Sequence, residues 1–341
     1  MTTLRYFVGL DIAAETFMAA IGTTPWKLLV RAKQFPNSSD GFQQLSQWLR
    51  EQQCALDQTV LCMEATGVYG EALAYYLVAQ KYAVAIEPPL KVKRAFKPQG
   101  PKTDAVDSEQ IAEYACRYSD ELMLWQPPSE LVEQLQVLLT TREQLVQQST
   151  AHQNALRALR RKAVRIAFAE QVYEQMLAET KTRIKALEKE IQRLIDQHPT
   201  AHRLLIWLMT IPGVGLLLAT HVLVLTQCAT RPFPSAKLAA HLGIAPLPHE
   251  SGTSVYAHPT SRHFGPSLPR KLLHLAARSV STHDEHFRAY YERKVAEGKA
   301  KKLVLNNVAN KLVRIICAIL ENQTEYDVNY QGTRKPALAK D

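Results

Sequence analysis

The chain has 341 residues, with 46% hydrophobic and 21% charged side chains, 18 prolines and 13 glycines. That composition excludes collagen-like, disulfide-scaffold and wholly disordered proteins, and at a typical size of about 150 residues per domain the length points to two domains, or three smaller ones. Lys and Arg number 41 against 32 Asp and Glu, a net charge of +9, which points to a polyanionic partner. The excess is regional. Residues 1–127 carry 12 basic and 14 acidic side chains, 128–200 carry 11 and 9, and 201–341 carry 18 and 9, so a basic module follows a near-neutral one. Five cysteines, Cys54, Cys62, Cys116, Cys228 and Cys317, lie far apart and never as Cys-x-x-Cys. No zinc site or disulfide framework is expected, and a reducing cytosol is the expected home. The opening MTTLRYFVGLD lacks the layout of a signal peptide, so export is not expected.

In chain order, Tyr6 to Phe35 predicts a meander of three strands, YFVGLDIA, FMAAIGT and KLLVRAKQF. Ser38-Ser39-Asp40 caps a helix, TVLCMEA is a buried strand, GVYGEALAYYLVAQ is helical and YAVAIEP is another strand. Strands alternating with helices after a meander indicate an α/β sheet of mixed pairing. Past Pro127-Pro128 a long helix begins, with Leu131, Leu135, Leu138, Leu145, Leu156 and Leu159 on a seam, and Ile184, Leu187, Ile191 and Leu194 repeat it. These helices form an antiparallel hairpin or an oligomerising coiled coil; an ordinary helical bundle within one chain is the alternative. Leu204 to Thr230 holds no Asp, Glu, Lys or Arg, longer than the roughly 20 residues a bilayer requires. Its middle, Ile211-Pro212-Gly213-Val214-Gly215, cuts it into two short apolar pieces, so two buried helices joined by a turn are expected rather than a membrane span. Beyond residue 201 the chain reads as mostly helical, except for a Gly/Ser/Pro/His-rich stretch from Pro246 to Pro269, taken as a long loop. The expected division is 1–126 for the α/β domain, 127–200 for the coiled-coil helices, 201–322 for the helical domain and 323–341 for a frayed tail.

Asp11 ends the first apolar strand and Glu64 ends another, the place where an open α/β sheet puts its site. Asp104 and Asp107 share one face of a helix through their i,i+3 spacing. Taken singly, Asp104 could cap its helix, Asp107 could be solvated, and Glu64 could be incidental. Four carboxylates converging on one cleft would need cations, and hard oxygen ligands favour Mg²⁺, or Mn²⁺, over zinc. With a three-strand meander the set fits a ribonuclease-H-like nuclease core, where paired ions assist phosphoryl transfer.

The turn at Gly213 and Gly215 resembles the hairpin of helix-hairpin-helix DNA binders, whose backbone N–H groups approach phosphate; a plain helix–helix turn is the alternative. In the loop, Ser251 precedes Gly252, so a sharp turn can expose its hydroxyl, while Arg262, Arg270 and Lys271 follow in positions suited to phosphate. A serine alcohol needs activation, and His249, His258 and His263 are open as bases or as surface residues.

Gly9-Leu10-Asp11-Ile12-Ala13, Met63-Glu64-Ala65-Thr66-Gly67, Lys102-Thr103-Asp104-Ala105-Val106-Asp107, Ile211-Pro212-Gly213-Val214-Gly215, Gly243-Ile244-Ala245-Pro246 and Glu250-Ser251-Gly252 stand in that order. In this order they resemble transposases of the one-ten family of bacterial insertion sequences, the bridge-RNA-guided recombinases. The resemblance runs from about Tyr6 to Leu320. It implies a RuvC-like domain with the acidic tetrad Asp11, Glu64, Asp104 and Asp107, a coiled coil, and a helical transposase domain whose nucleophile is Ser251. It also implies Mg²⁺, double-stranded donor and target DNA, and a structured bridge RNA that supplies sequence choice. The assembly would be a dimer or tetramer in which the carboxylates of one subunit stand beside the serine of another. Lys102, Gly213, Gly215, Arg262, Arg270 and Lys271 are the expected nucleic-acid contacts. Leu247-Pro248-His249 before Glu250 is less basic than the family pattern. No Gly-x-x-x-x-Gly-Lys loop occurs, so no nucleotide cofactor is expected. The expected site of action is the bacterial cytoplasm, at the nucleoid, with no membrane partner. A metal-dependent junction resolvase without serine chemistry is the alternative, and a nucleic-acid-binding scaffold with structural acids is a third reading.

Overall fold

The first apolar run forms β1 (Tyr6–Ile12), which pairs antiparallel with β2 (Thr16–Thr23) on one side and parallel with β4 (Thr59–Glu64) on the other. The computed structural model describes the backbone of residues 4–65, 67–96, 103–230, 233–251, 255–261 and 265–328, and their side chains except those of 247–251 and 255–260. β3 (Lys27–Pro36) and β5 (Ala83–Glu87) complete a five-stranded mixed sheet of order β3-β2-β1-β4-β5, the meander followed by parallel strands that the sequence predicts.

Alternation along the strands divides the side chains between two faces. Val8, Leu10 and Ile12 of β1 join Leu61 and Met63 of β4 against Leu45 and Leu49 of α1 (Ser39–Glu51) and Leu73 and Leu77 of α2 (Glu71–Ala79). The Ser38 side chain caps α1 by accepting from the Gly41 amide. On the other face, Phe7, Val60, Cys62 and Ala85 pack against Val92 of α3 (Pro89–Ala95) and Ile111, Tyr114 and Ala115 of α4 (Asp104–Arg117).

The chain divides into two compact units, Met1–Pro127 and Pro128–Asp341. The second begins with α5 (Glu130–Leu159) and α6 (Ala167–Asp196). Arg142 donates to Glu188 at 2.8 Å and Arg160 pairs with Glu170 at 3.4 Å, a register only antiparallel helices produce. Leu131, Leu135 and Ile191 of the seam join Leu139 and Ile195 in the main core of this unit, so part of the seam is satisfied within the chain.

The uncharged stretch folds as α7 (Pro199–Met209) and α8 (Leu216–Leu225) on either side of a turn. α9 (Ser235–His241), α10 (Ser267–His283), α11 (Glu285–Ala296) and α12 (Lys301–Asn322) complete the helical set. α12 is long and apolar enough by length and composition to cross a membrane. Val304, Val308, Leu312 and Ile316 are nonetheless buried in the unit, so it serves as a core helix.

Two expectations change. The stretch from Pro246 to Pro269 is not a plain loop, because β6 (Pro246–Ser251) and β7 (Val255–Ser261) pair antiparallel within it. A two-stranded ribbon leaves each strand a free edge, which accommodates Pro246, Pro248 and Pro259. The tail does not fray from residue 323: the Tyr326 amide donates to the Thr210 hydroxyl at 2.9 Å. Residues 329–341 lie outside the described residues.

Candidate active site

β1 and β4 run parallel with Leu10 opposite Met63. One residue further along each strand stand Asp11 and Glu64, both partly exposed, side by side at the carboxyl edge of the sheet. Asp11 follows Phe7 and Gly9 on the face covered by α4, and Glu64 follows Val60 and Cys62 on the same face.

Gly9 lets α4 come that close. A Cβ there would lie 2.1 Å from the Ser108 carbonyl oxygen and 2.3 Å from the Ala112 amide nitrogen, so only glycine permits the contact. Further along the helix, Cys116 Sγ donates to the Thr23 carbonyl at 3.6 Å, and Thr23 pairs with Tyr6 at the start of β1. α4 therefore runs antiparallel to β1, and its first turn, with Asp104 and Asp107, points toward the edge that carries Asp11 and Glu64. Thr103 caps this turn, its hydroxyl accepting from the Val106 amide at 3.3 Å. Acids in a first turn also suit the positive end of the helix dipole.

The four expected carboxylates thus share one face and one end of the sheet. Among the described residues, no three His, Cys, Asp or Glu side chains close into a ready-made metal cluster. The donor set itself, carboxylate oxygens only, fits Mg²⁺ or Mn²⁺ and not a soft metal. The Cys62 thiol is pushed up to about 12, chiefly by burial and then by the charges of Glu87 and Glu64.

Glu87 is a third acid ending a strand, and sequence reasoning passed over it, although YAVAIEP ends as TVLCMEA does. It lies opposite Glu64 in register and is buried. Tyr114 donates its hydroxyl to the Glu87 carboxylate at 3.4 Å, and Lys91 of α3 pairs with it at 3.2 Å. The hydrogen bond with the Tyr114 hydroxyl first, and then the hydrogen bond and charge of Glu87, hold the Lys91 ammonium above its usual pKa against the opposing effect of burial.

In the second unit, Ser251 ends β6 opposite Val255; its hydroxyl lies outside the described side chains. The root of this hairpin is tied down. Asn306 and Asn310 of α12 both donate to the Ile244 carbonyl, at 3.0 and 3.2 Å, and Arg270 donates to the Leu242 carbonyl at 3.3 Å. Two asparagines four apart on an apolar helix were visible in the sequence, but their partner was not. Lys271 is exposed on α10, whereas Lys102 and Arg262 lie outside the described residues. Gly213 takes φ 77°, and a Cβ there would meet Val280 Cγ1 at 2.8 Å, so its glycine is required by the turn and by α10. Gly215 caps α8 with open space at its Cβ position.

A mixed α/β sheet with acids at its carboxyl edge, followed by a basic helical unit, defines the class of an enzyme acting on nucleic acid. Comparison with known proteins narrows this. A DEDD transposase model of the IS110 type matches residues 8–163, and the Transposase IS116/IS110/IS902 family model matches residues 207–292. The Pilin gene-inverting protein of Moraxella bovis is 29% identical over 95% of this chain and 98% of its own length. The Insertion element IS110 uncharacterized 43.6 kDa protein of Streptomyces coelicolor is 32% identical over 42% of this chain and 34% of its own. Among solved structures, Thermus thermophilus RuvC in complex with a Holliday junction substrate is 11% identical, with 36% of this chain and 99% of that chain covered and a TM-score of 0.28, a likeness too weak to carry an argument. The chain belongs to the IS110 family of transposases. It is an enzyme that cuts and rejoins DNA.

Proposed function

We propose that the chain is an RNA-guided DNA recombinase of RuvC-like architecture that moves an insertion sequence through a phosphoserine intermediate. The placement of Asp11 and Glu64 side by side at the sheet edge, on the face covered by α4 with its two acids, is the observation that carries this reading. Asp11, Glu64, Asp104 and Asp107 would hold Mg²⁺, which when bound supplies neutralising charge at the scissile phosphate.

Ser251 is the nucleophile. Its oxygen forms a bond to phosphorus as the bond from phosphorus to the departing strand's oxygen breaks; the serine proton leaves to a base and the departing oxygen gains one. The phosphate ester energy is kept in the serine link, so the hydroxyl of another strand can reverse the step and rejoin DNA without a nucleotide cofactor. Arg262, Arg270 and Lys271, near the hairpin in sequence, and Lys102, before the acidic helix, hold phosphates. Gly213 and Gly215 shape a turn that lets backbone approach the strand. A bridge RNA pairs with donor and target DNA and chooses the sites, in a dimer or tetramer.

The wild type is expected to give a denaturation-resistant protein–DNA adduct that Ser251→Ala abolishes, while Asp104→Ala stops strand cleavage. Hydrolysed ends with full activity in Ser251→Ala would replace this reading with a metal-dependent nuclease. Purified protein freed of RNA should fail to recombine a defined DNA pair; recombination by the bare protein would overturn RNA guidance. Light scattering of the protein with its nucleic acids should show a dimer or larger.

A further inference from the structure

We propose that Arg293 and Lys311, on the seam between α11 and α12, and Arg314, one turn past Lys311 on α12, form a phosphate-binding surface for the backbone of duplex DNA. Tyr290 and Arg293 lie three apart on α11 and so share a face. Lys311 of α12 places its Nζ 3.7 Å from the centroid of the Tyr290 ring, and Arg293 places its guanidinium carbon 5.8 Å from the same centroid. Two cations therefore share one aromatic ring.

The charges around this ring are one-sided. Burial lowers the Lys311 ammonium first, and then Arg293, Arg314 and Lys294 lower it further. The nearby acid, Glu297, is engaged by Lys294 at 2.7 and 2.9 Å and reaches Arg293 only at 4.0 Å. Among the described residues neither Lys311 nor Arg314 has a carboxylate partner.

Folding alone gives no reason to gather cations around a half-buried lysine, since like charges repel and an acid would relieve them. A polyanion would relieve them as well. These residues fall in 201–341, with 18 basic against 9 acidic side chains, and the enzyme acts on DNA. A run of phosphates is the ligand whose charge and repeat match two cations on one seam and a third a turn further along α12.

Full-length wild type, Arg293→Gln/Arg314→Gln and the triple variant adding Lys311→Gln should be titrated with a generic DNA duplex over a salt series from about 50 to 200 mM. Each lost phosphate contact lowers the slope of log K against log salt by about 0.9. The double variant should lose a slope of about 2 and the triple about 3. Melting temperatures should stay level or rise, because like charges have been removed. The double variant keeps the Lys311–Tyr290 contact, so it remains informative if the triple folds poorly. An unchanged slope in the double variant, no duplex binding by the wild type, or a slope lost only on single-stranded RNA would overturn the proposal.

Discussion

At the scale of single residues, the site rests on one glycine and one buried acid. Gly9→Ala would drive a methyl group into the backbone of α4, 2.1 Å from the Ser108 oxygen. The helix must shift, and Asp104 and Asp107 shift with it. The expected outcome is a loss of about 1–3 kcal/mol in urea unfolding together with reduced cleavage. Lys91→Met tests the second point, because it leaves the Glu87 carboxylate buried without its ammonium. As Lys91 itself is about 40% exposed, the loss should fall in the range of about 1–3 kcal/mol. Adding Glu87→Gln should recover most of it, since an amide can still accept from Tyr114. Asp11 and Glu64 were legible in the sequence because each ends an apolar run, the pattern of a buried strand reaching a sheet edge. Glu87 carried the same signal and was passed over; its lysine is four residues on, but Tyr114 is brought to it only by tertiary packing.

At the scale of elements, legibility followed period and length. β1 to β5 and α4 to α6 were visible as apolar runs or seams, whereas α3 spans only seven residues behind two prolines and went unread. The β6–β7 hairpin was hidden by its glycines and prolines, which read as loop. What holds that hairpin's root could not be read at all, because Asn306 and Asn310 meet Ile244 only after α12 packs. Replacing both asparagines by alanine leaves the Ile244 carbonyl buried without these donors. Stability should fall by about 1–3 kcal/mol, and formation of the proposed adduct at Ser251 should slow while DNA affinity holds. Between α5 and α8 lies a pH-sensitive contact. His221 is held down to about 4, by burial first and then by the Arg142 charge, and its Nε2 is buried without a hydrogen bond among the described residues. A depressed folded pKa means that the unfolded chain takes up the proton first. Stability is therefore complete above about pH 6.5 and drains away as the pH falls toward 4, by on the order of 2–3 kcal/mol. Urea midpoints at pH 7 and pH 4.5 should differ less in His221→Gln than in the wild type.

At the scale of the whole molecule, each of the two units has hydrophobic cores of its own among the described residues. The clusters built on Phe7, Val8 and Leu10 use no residue beyond Trp125, and the cluster of the helical unit begins at Leu131. Each unit then has its own source of stability. Residues 1–127 should fold alone as a cooperative fragment, and Gly9→Ala should lower the melting temperature of that fragment as it does in the full chain. Calorimetry decides this, and a fragment without a cooperative transition would show that the second unit is needed to fold the first. The charges divide along the same line. Residues 128–341 carry 29 basic against 18 acidic side chains and residues 1–127 carry 12 against 14. Non-specific duplex binding with a steep salt dependence should therefore stay with 128–341 and be absent from 1–127. The isolated first unit, even well folded and supplied with Mg²⁺, lacks Ser251 and should give neither the covalent adduct nor the strand cleavage of the proposed reaction.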